Sequence, residues 1–257
     1  MRTERKNREK KSSVVRNVRA IRDSRIALTT DDFHDFLTYI KMEDNYRHKG
    51  LRRNLVENLK EKGIKDENIL AAMLAIPRHF FLDKAFEEWA YADKAFPIGN
   101  EQTISQPYTV AYQTVLLDVK KGDKILEIGT GSGYQAAVLS LLEAKVFSVE
   151  RQETLFRKAT KLLKDLQLKN IKTFLSDGNE GLPIHAPFDK ILFTAGAEKI
   201  PQTLLAQLKI NGTMVIPIGD DKSQTMYKIT KLSETDFEKQ RFDEFKFVPF
   251  LKGLVKE

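Results

Sequence analysis

Three glycines at alternate positions mark the stretch of this sequence that is best suited to hold a ligand. They lie within the segment Gly129–Gly133, between the apolar run 125–128 and the helix-forming run 134–139. This order is typical of a strand, a tight turn and a helix N-terminus. Glycine lets the backbone approach a bound molecule closely, and the N–H groups at a helix start carry partial positive charge. The stretch therefore predicts a site for a nucleotide or nucleoside.

The spacing around these glycines indicates which nucleoside is bound. A dinucleotide site needs Gly-x-Gly-x-x-Gly/Ala, and the third small residue would fall at Tyr134, which disfavours that reading. An acidic residue two positions before the first glycine is instead typical of S-adenosylmethionine-dependent methyltransferases. A second acidic residue ends the next predicted strand, where it can accept hydrogen bonds from both ribose hydroxyls. The cofactor contacts predicted here are Glu127, Gly129, Gly131, Gly133 and Glu150.

Apolar strands alternate with helices after this loop. Strands are predicted over residues 144–150, 171–175, 188–194 and 213–218, with helices over 155–166 and 201–208. The alternation predicts an α/β class fold, a doubly wound and mostly parallel Rossmann-like sheet whose ligands lie over the carboxyl ends of the strands. Asp177 and Gly178 follow such an end and are candidates for contacting the adenine of the cofactor. An Asp-Gly pair is also a common turn, so both interpretations stay open.

Additional elements are predicted on both sides of the alternating region. Helices are predicted over residues 51–62, 66–75 and 83–91, after a polar linker at 43–50, and antiparallel strands over 225–231 and 244–250. The first set forms an N-terminal helical addition, because it precedes the first strand. The second set forms a C-terminal antiparallel β addition at the edge of the sheet.

A segment without regular periodicity, residues 96–108, precedes the glycine loop. Ser105 is a good N-cap for the helix that runs to Leu117, and Pro107 suits the first turn of that helix. On spacing alone, Ser105 is a capping residue with no catalytic role.

The composition bounds the class of protein. The chain has 257 residues and 41% hydrophobic content, enough for one α/β domain with additions. No run approaches 18 apolar residues, and the first residues lack the apolar segment of a secretory signal, so no membrane contact is expected. The sequence has no cysteine, which fits a cytoplasmic location. The four histidines lack metal-ligand spacing, and no metal site is predicted.

The net charge of +7 is concentrated at one end of the chain. Residues 1–25 contain ten of the 43 Lys and Arg residues and three of the 36 acidic residues, which leaves 33 of each sign in the remainder. A solvated arm is the favoured interpretation, and nucleic-acid contact by the arm is the alternative. Apolar residues at helical spacing also predict a short amphipathic helix over 33–40. We therefore predict a basic extension, residues 1–50, and a methyltransferase domain, residues 51–257.

Several motifs, in order along the chain, resemble those of the protein-L-isoaspartate O-methyltransferase family. They are PIG at 97–99, QTISQPY at 102–108, LEIGTGSGYQ at 126–135, VFSVE at 146–150, DG at 177–178, APFD at 186–189, IP at 200–201, VIPIG at 215–219 and FVP at 247–249. The likeness extends from about residue 51 to 254. Glu101 stands where bacterial members usually have glycine, Phe250 replaces a customary leucine, and residues 1–50 have no counterpart in the usual short form.

The resemblance implies methyl transfer from S-adenosylmethionine to the α-carboxylate of L-isoaspartyl residues in damaged proteins and peptides, which leaves S-adenosylhomocysteine. It implies that Ser105 is the catalytic residue, holding and orienting the substrate carboxylate rather than acting as a nucleophile, since no Gly-x-Ser-x-Gly elbow surrounds it. It also implies that Thr103, Ile104, Ser105 and Gln106 line the cleft beside the cofactor. We expect a monomer.

Three alternatives remain at this level. The sheet could serve a methyltransferase of nucleic acids or small molecules, although Thr194–Ala197 stands where base-methylating enzymes carry Asp/Asn-Pro-Pro-Phe/Tyr. The protein could be a non-catalytic cofactor-binding homologue, with Glu101 altering the substrate segment. A nicotinamide-dependent oxidoreductase is disfavoured by Tyr134.

Overall fold

The computed structural model describes residues 44–256 of the chain. Its strands are β1 (Phe96–Gly99), β2 (Gln102–Ile104), β3 (Lys124–Ile128), β4 (Lys145–Glu150), β5 (Ile171–Leu175), β6 (Phe188–Phe193), β7 (Leu208–Gly219), β8 (Gln224–Lys231) and β9 (Phe237–Phe245). Its α-helices are α1 (Tyr46–Glu61), α2 (Glu67–Ala75), α3 (Pro107–Leu117), α4 (Tyr134–Leu141), α5 (Glu153–Asp165) and α6 (Gln202–Leu205). Short 3₁₀ helices cover Arg78–Phe81, Lys84–Trp89 and Pro183–His185.

Seven strands form one central sheet in the order β5-β4-β3-β6-β7-β8-β9. The pairs from β5 to β7 are parallel, and β8 and β9 add antiparallel at one edge. The chain moves outward from β3 to β5, then returns to place β6 on the other side of β3. Open sheets bind ligands outside the strand ends where the order reverses. The predicted fold class is confirmed, and the ligand position is the carboxyl end of β3.

The hydrophobic core lies on both faces of this sheet. Consecutive strand residues point to opposite faces, and Ile125 accordingly belongs to a core cluster with Leu59 and Met73 of the N-terminal helices. Leu126 belongs to a second cluster with Leu204 of α6. Both β3 residues are fully buried, which explains why β3 is a continuous apolar run in the sequence.

The N-terminal helical addition forms largely as predicted, with two corrections. Residues 46–50 are not a linker, because α1 already begins at Tyr46, where the Asn45 side chain accepts a hydrogen bond from the His48 N–H at 3.0 Å. The predicted cap at Asp66 is confirmed by its bonds to the N–H groups of the first turn of α2. Asp83 opens a 3₁₀ helix rather than an α-helix. The helix predicted over 33–40 lies outside the described residues.

The segment before α3 is an antiparallel hairpin rather than an irregular stretch. Strands β1 and β2 pair around Asn100 and Glu101, whose φ angles are 51° and 57°. Two successive residues with positive φ are typical of the type I′ turns that close two-residue hairpins. An Asn-Glu pair is an uncommon choice for such a turn, so the sequence carried no strong hairpin signal.

The C-terminal part also differs from the prediction. The last strand is β9, residues 237–245, not 244–250, and α6 is a single turn instead of a helix over 201–208. Residues 248–256, here named the C-terminal tail, run across the carboxyl ends of the parallel strands. The tail is bound by backbone hydrogen bonds between Gly196 and both Val248 and Phe250, and between Val255 and Arg151. No helix among residues 44–256 is long and apolar enough to cross a membrane.

Candidate active site

A cleft that is partly open to solvent lies over the carboxyl ends of β3, β4 and β6. Six segments form its wall: the glycine loop, the end of β4, the stretch from β2 to the start of α3, the residues that follow β5 and β6, and the C-terminal tail. Of the residues predicted as contacts, seven lie in this wall: Thr103, Ile104, Ser105, Gly129, Gly131, Glu150 and Gly178. The fold therefore brings together segments that are up to about 150 positions apart in the sequence.

The glycine loop begins at a position that only glycine can occupy. Gly129 has φ +99°, and a Cβ atom there would collide with the Thr194 hydroxyl. That hydroxyl is fixed, since it lies within hydrogen-bond distance of the carbonyl oxygens of both Ile128 and Gly129, at 2.9 and 2.6 Å. The tip of β6 therefore determines the path of the loop, which explains the first glycine of the motif.

Glu150 organises the loop from the neighbouring strand. Its carboxylate accepts hydrogen bonds from the N–H groups of Gly131, Arg151 and Gln152, each at 2.9 Å. A carboxylate has about four acceptor positions, so one remains for a ligand hydroxyl. Glu150 is 5% exposed and lies in the cleft wall. Glu150 can therefore accept a hydrogen bond from one ribose hydroxyl, where the sequence predicted two.

Ser105 lies in the cleft wall, but it does not cap α3. The cap position is Gln106, without a side-chain bond, and the N–H of Tyr108 is instead bound by Asp93 at 2.8 Å. The Asp93 carboxylate also accepts bonds from Gln106 at 3.1 Å and from Lys62 at 2.6 Å. Because Asp93 replaces it as the cap, the Ser105 hydroxyl makes no hydrogen bond within residues 44–256 and is left for a ligand.

Four predicted contacts do not reach the cleft wall: Gln106, Glu127, Gly133 and Asp177. Gln106 is turned towards Asp93, and Gly133 is backed by Leu163 of α5. The Asp177 carboxylate accepts bonds from the N–H groups of Asn179 and Gly253, at 2.9 and 2.7 Å. Partial burial would raise the pKa of Asp177, but these hydrogen bonds hold it below its usual value. Asp177 therefore anchors the C-terminal tail, and its neighbour Gly178 faces the cleft.

Glu127 lies below the glycine loop instead of beside the ligand. It is fully buried on β3, accepts a hydrogen bond from Ser148 of β4, and Ser148 lies 2.6 Å from the hydroxyl of Thr130 in the cleft wall. Burial raises the pKa of Glu127 to about 8, the Ser148 bond opposes that rise, and the charge of Glu150 adds to it. The Glu127 carboxyl group thus supports the loop through the hydroxyl groups of Ser148 and Thr130.

Sequence reasoning missed several wall residues: Thr130, Ser132, Arg151, Thr194 and the tail residues 248–251. Thr130 and Ser132 are the spacer residues of the glycine motif, and the motif gives no sign of their direction. The tail was expected to be part of a strand. Asp93 could not be found either, because the residues that it binds are 13 and 15 positions away.

One group of potential metal ligands exists in the described part of the chain, away from the cleft. Ligand atoms of Asp44, His48 and His79 lie within 4.8 Å of one another. Both oxygens of Asp44 are held by Arg52 at 2.9 and 3.0 Å, and the two imidazole rings stack at 3.8 Å. These contacts describe a packed polar cluster at the base of α1.

A Rossmann-like sheet with a glycine loop and an acidic strand end at one cleft defines an S-adenosylmethionine-dependent methyltransferase. A sequence profile described as "Protein-L-isoaspartate(D-aspartate) O-methyltransferase (PCMT)" matches residues 50–254 of the chain. The chain belongs to the protein-L-isoaspartate (D-aspartate) O-methyltransferase family.

Individual relatives agree with this assignment. The chain is 57% identical over 211 residues to the protein-L-isoaspartate O-methyltransferase of Flavobacterium psychrophilum, with 82% of this chain and 99% of the relative covered. A solved protein-L-isoaspartate O-methyltransferase superposes with a TM-score of 0.72 at 31% identity, covering 79% of this chain and 67% of that one. A solved structure from Plasmodium falciparum is described as a protein-L-isoaspartate O-methyltransferase in complex with S-adenosyl-L-homocysteine. It superposes with a TM-score of 0.70 at 28% identity, covering 79% of this chain and 99% of that one.

Proposed function

We propose that this enzyme transfers the methyl group of S-adenosylmethionine to the α-carboxylate of L-isoaspartyl residues in damaged proteins and peptides, which starts their repair through a succinimide. Family membership supports the reaction. The observation that carries the assignment of the site is the Ser105 hydroxyl, which lies in the wall of the nucleoside cleft and makes no hydrogen bond within residues 44–256.

The cleft wall fits the cofactor by its donor and acceptor set. Glu150 keeps one acceptor position for ribose, and the glycine loop offers backbone close to the ligand. Ile104, Val110 and Phe250 add an apolar wall that excludes water from the reacting groups. When bound, S-adenosylmethionine supplies a methyl group activated by its sulfonium.

The reaction needs no general base. An isolated carboxyl group titrates near ~4 and is already an anion at neutral pH. The task of the protein is alignment, which can contribute on the order of 7–11 kcal/mol to a reaction of this kind. Ser105 donates its hydroxyl hydrogen to one oxygen of the substrate carboxylate and leaves the other oxygen to attack. The following backbone nitrogen then attacks the carbonyl of the resulting methyl ester and expels methanol, and the succinimide so formed hydrolyses partly to normal aspartate, without help from the enzyme.

One assay tests the proposal. The full chain is incubated with radiolabelled S-adenosylmethionine and two peptides that differ only in carrying isoaspartate or aspartate at one position. Base-labile label on the isoaspartyl peptide alone is the expected result. Equal label on both peptides, or label on neither of them, would contradict it.

The oligomeric state, the location and the domain boundary belong to the same proposal. We infer a monomer of 29.5 kDa that acts in the cytoplasm, consistent with the absence of cysteine from the whole sequence. We also infer that the methyltransferase domain, predicted as residues 51–257, includes all of α1 and begins no later than Tyr46, and that the basic part of the extension, residues 1–25, is not needed for peptide methylation. Light scattering tests the mass, and the truncation described below tests the extension.

A further inference from the structure

Gln135 presents an acceptor at the cleft whose direction is fixed by its neighbours. The residue stands in the first turn of α4, lies in the cleft wall and is 6% exposed. Its Nε2 atom is 3.0 Å from the hydroxyl of Thr114, which in turn donates to the carbonyl of Val110 at 2.7 Å. A hydroxyl has one hydrogen, so Thr114 must accept from Gln135. The amide nitrogen therefore faces α3, and the amide oxygen faces away from Thr114.

That amide oxygen has no donor. Oε1 of Gln135 is buried and makes no hydrogen bond within residues 44–256. Buried acceptors are normally paired, so an exception beside a ligand cleft calls for a donor that arrives with the ligand. Gln113 and Glu127 also carry a buried, unpaired oxygen, but neither lies in the cleft wall.

The position of Gln135 selects one donor group of the cofactor. Ribose hydroxyls are assigned to Glu150 at the end of β4, the adenine with its amino group is expected beside Gly178 after β5, and the carboxylate of the methionine moiety has no hydrogen to donate. Gln135 packs on α3 through Thr114, and Ser105 lies two residues before the start of α3. Since the transferred methyl must face Ser105 and the amino-acid chain shares its sulfur, the methionine end lies on the α3 side.

We propose that the Gln135 amide oxygen accepts a hydrogen bond from the α-ammonium of the cofactor's methionine moiety, which makes Gln135 a cofactor-binding residue. The inference deepens the proposed function and rests on it, because the direction of the cofactor is deduced from the substrate carboxylate that Ser105 holds. The ammonium carries three donors and a positive charge, and a charge-assisted bond to a buried, pre-oriented acceptor is stronger than one between neutral groups. Removing it is expected to weaken binding about ten- to hundred-fold.

Calorimetric titration of the full chain tests this with two ligands and three proteins. The ligands are S-adenosylhomocysteine and its deamino analogue S-adenosyl-4-mercaptobutyrate, which differ only in the ammonium. The proteins are the natural chain, Gln135→Leu and Gln113→Leu, a matched control in which another buried amide with an unpaired oxygen is removed outside the cleft. We expect Gln135→Leu to lose about ten- to hundred-fold in affinity for S-adenosylhomocysteine and less than about three-fold for the analogue. Gln113→Leu should bind both ligands like the natural chain.

Equal losses for both ligands in Gln135→Leu would overturn the proposal, as would an equal loss in Gln113→Leu. If Gln135→Leu fails to fold, the natural chain still decides, because equal affinity for the two ligands would show that the ammonium is not recognised. Gln135→Glu, which keeps an acceptor, should recover S-adenosylhomocysteine binding relative to Gln135→Leu. A natural chain that binds neither ligand would refute the proposed function itself, a result distinct from all of these.

Discussion

The two sides of the cleft are built differently. The sheet side, formed by the glycine loop and Glu150, continues the core: Ile128 is 2% exposed and Glu150 is 5% exposed. The cover side, formed by the β1–β2 hairpin and the C-terminal tail, is superficial, and all residues of 251–256 are exposed. Superficial segments with few buried contacts open at low free-energy cost, whereas core strands open only on global unfolding. The comparison indicates that the sheet side, which binds the nucleoside, is rigid, and that the cover side, past which the substrate enters, opens more easily.

Within residues 44–256 the tail is joined to the sheet by several hydrogen bonds, whereas the hairpin is joined to it by one. The Gln152 side chain donates to the carbonyl of Asn100 in the hairpin turn at 3.2 Å, and Arg151 donates to the carbonyl of Gly253 in the tail at 2.8 Å. Gln152 also binds Glu150 through its backbone N–H. Gln152 therefore links Glu150, which is predicted to bind the ribose, to the hairpin.

The largest effect is expected from damage to the sheet side. Glu150→Ala removes the acceptor for ribose and the partner of the Gly131 N–H, so affinity for S-adenosylhomocysteine should fall at least about 100-fold, as for two charge-assisted hydrogen bonds. Calorimetry measures it, with Glu61→Ala on the surface of α1 as a control. Affinity within about three-fold of the natural chain would show that the sheet side does not grip the nucleoside.

The next largest effect concerns the cover side. Ser105→Ala should lower kcat on the isoaspartyl peptide about ten- to hundred-fold, because the substrate carboxylate loses its positioning bond, while S-adenosylhomocysteine affinity stays within about two-fold. Steady-state kinetics and calorimetry measure the two quantities. An unchanged kcat would remove Ser105 from the catalytic residues.

Burial of the sheet side also predicts a pH dependence of stability. The pKa of Glu127 is about 8 in the folded protein and near ~4.3 when exposed, so the folded state retains a proton that the unfolded state releases. Between these values Glu127 lowers the free energy of unfolding as pH rises, by at most about 1.4 kcal/mol per pH unit. Denaturant unfolding of Glu127→Gln from pH 5 to 8 should show a flatter profile than that of the natural chain. Parallel profiles would mean that Glu127 is ionised when folded.

A smaller effect is expected at the connection between the sides. Gln152→Ala removes one hydrogen bond to the hairpin turn, so the KM for the isoaspartyl peptide should rise about two- to five-fold with S-adenosylhomocysteine affinity less affected. Gln240→Ala on the exposed strand β9 is the matched control. If Gln152→Ala changed cofactor affinity more than peptide KM, the hairpin would belong to the nucleoside site.

The smallest effect is expected from removing residues 1–25, which belong to neither side of the cleft as defined above. Deletion of residues 1–25 removes the charge excess but no residue of the cleft, so peptide methylation should stay within about two-fold while the pI falls. Activity assays and isoelectric focusing test this. A large loss of activity would place the basic arm in the active enzyme.

The secondary structure of the sheet side was predictable from the sequence and that of the cover side was not, although the family resemblance placed Thr103, Ile104 and Ser105 of the cover side in the cleft. The buried strand β3 is rich in apolar residues, and Gly129 is required by a close approach, so the sequence carries local signals for both. The hairpin has Asn100-Glu101 in place of a strong turn pair, and the tail contains no regular structure at all. Asp93 and Gln135 act through partners that are distant in the sequence, so their roles depend on tertiary packing.

The bond between Lys62 and Asp93 has a practical consequence for protein engineering. Asp93 holds the corner beside Ser105, and Lys62, at the end of α1, pairs with Asp93 at 2.6 Å. The N-terminal helices therefore support the part of the cleft that contains Ser105 and cannot be removed without affecting it. A minimal version of this enzyme should begin ahead of Tyr46, because one that starts at β1 would keep its nucleoside pocket yet lose the alignment on which turnover depends.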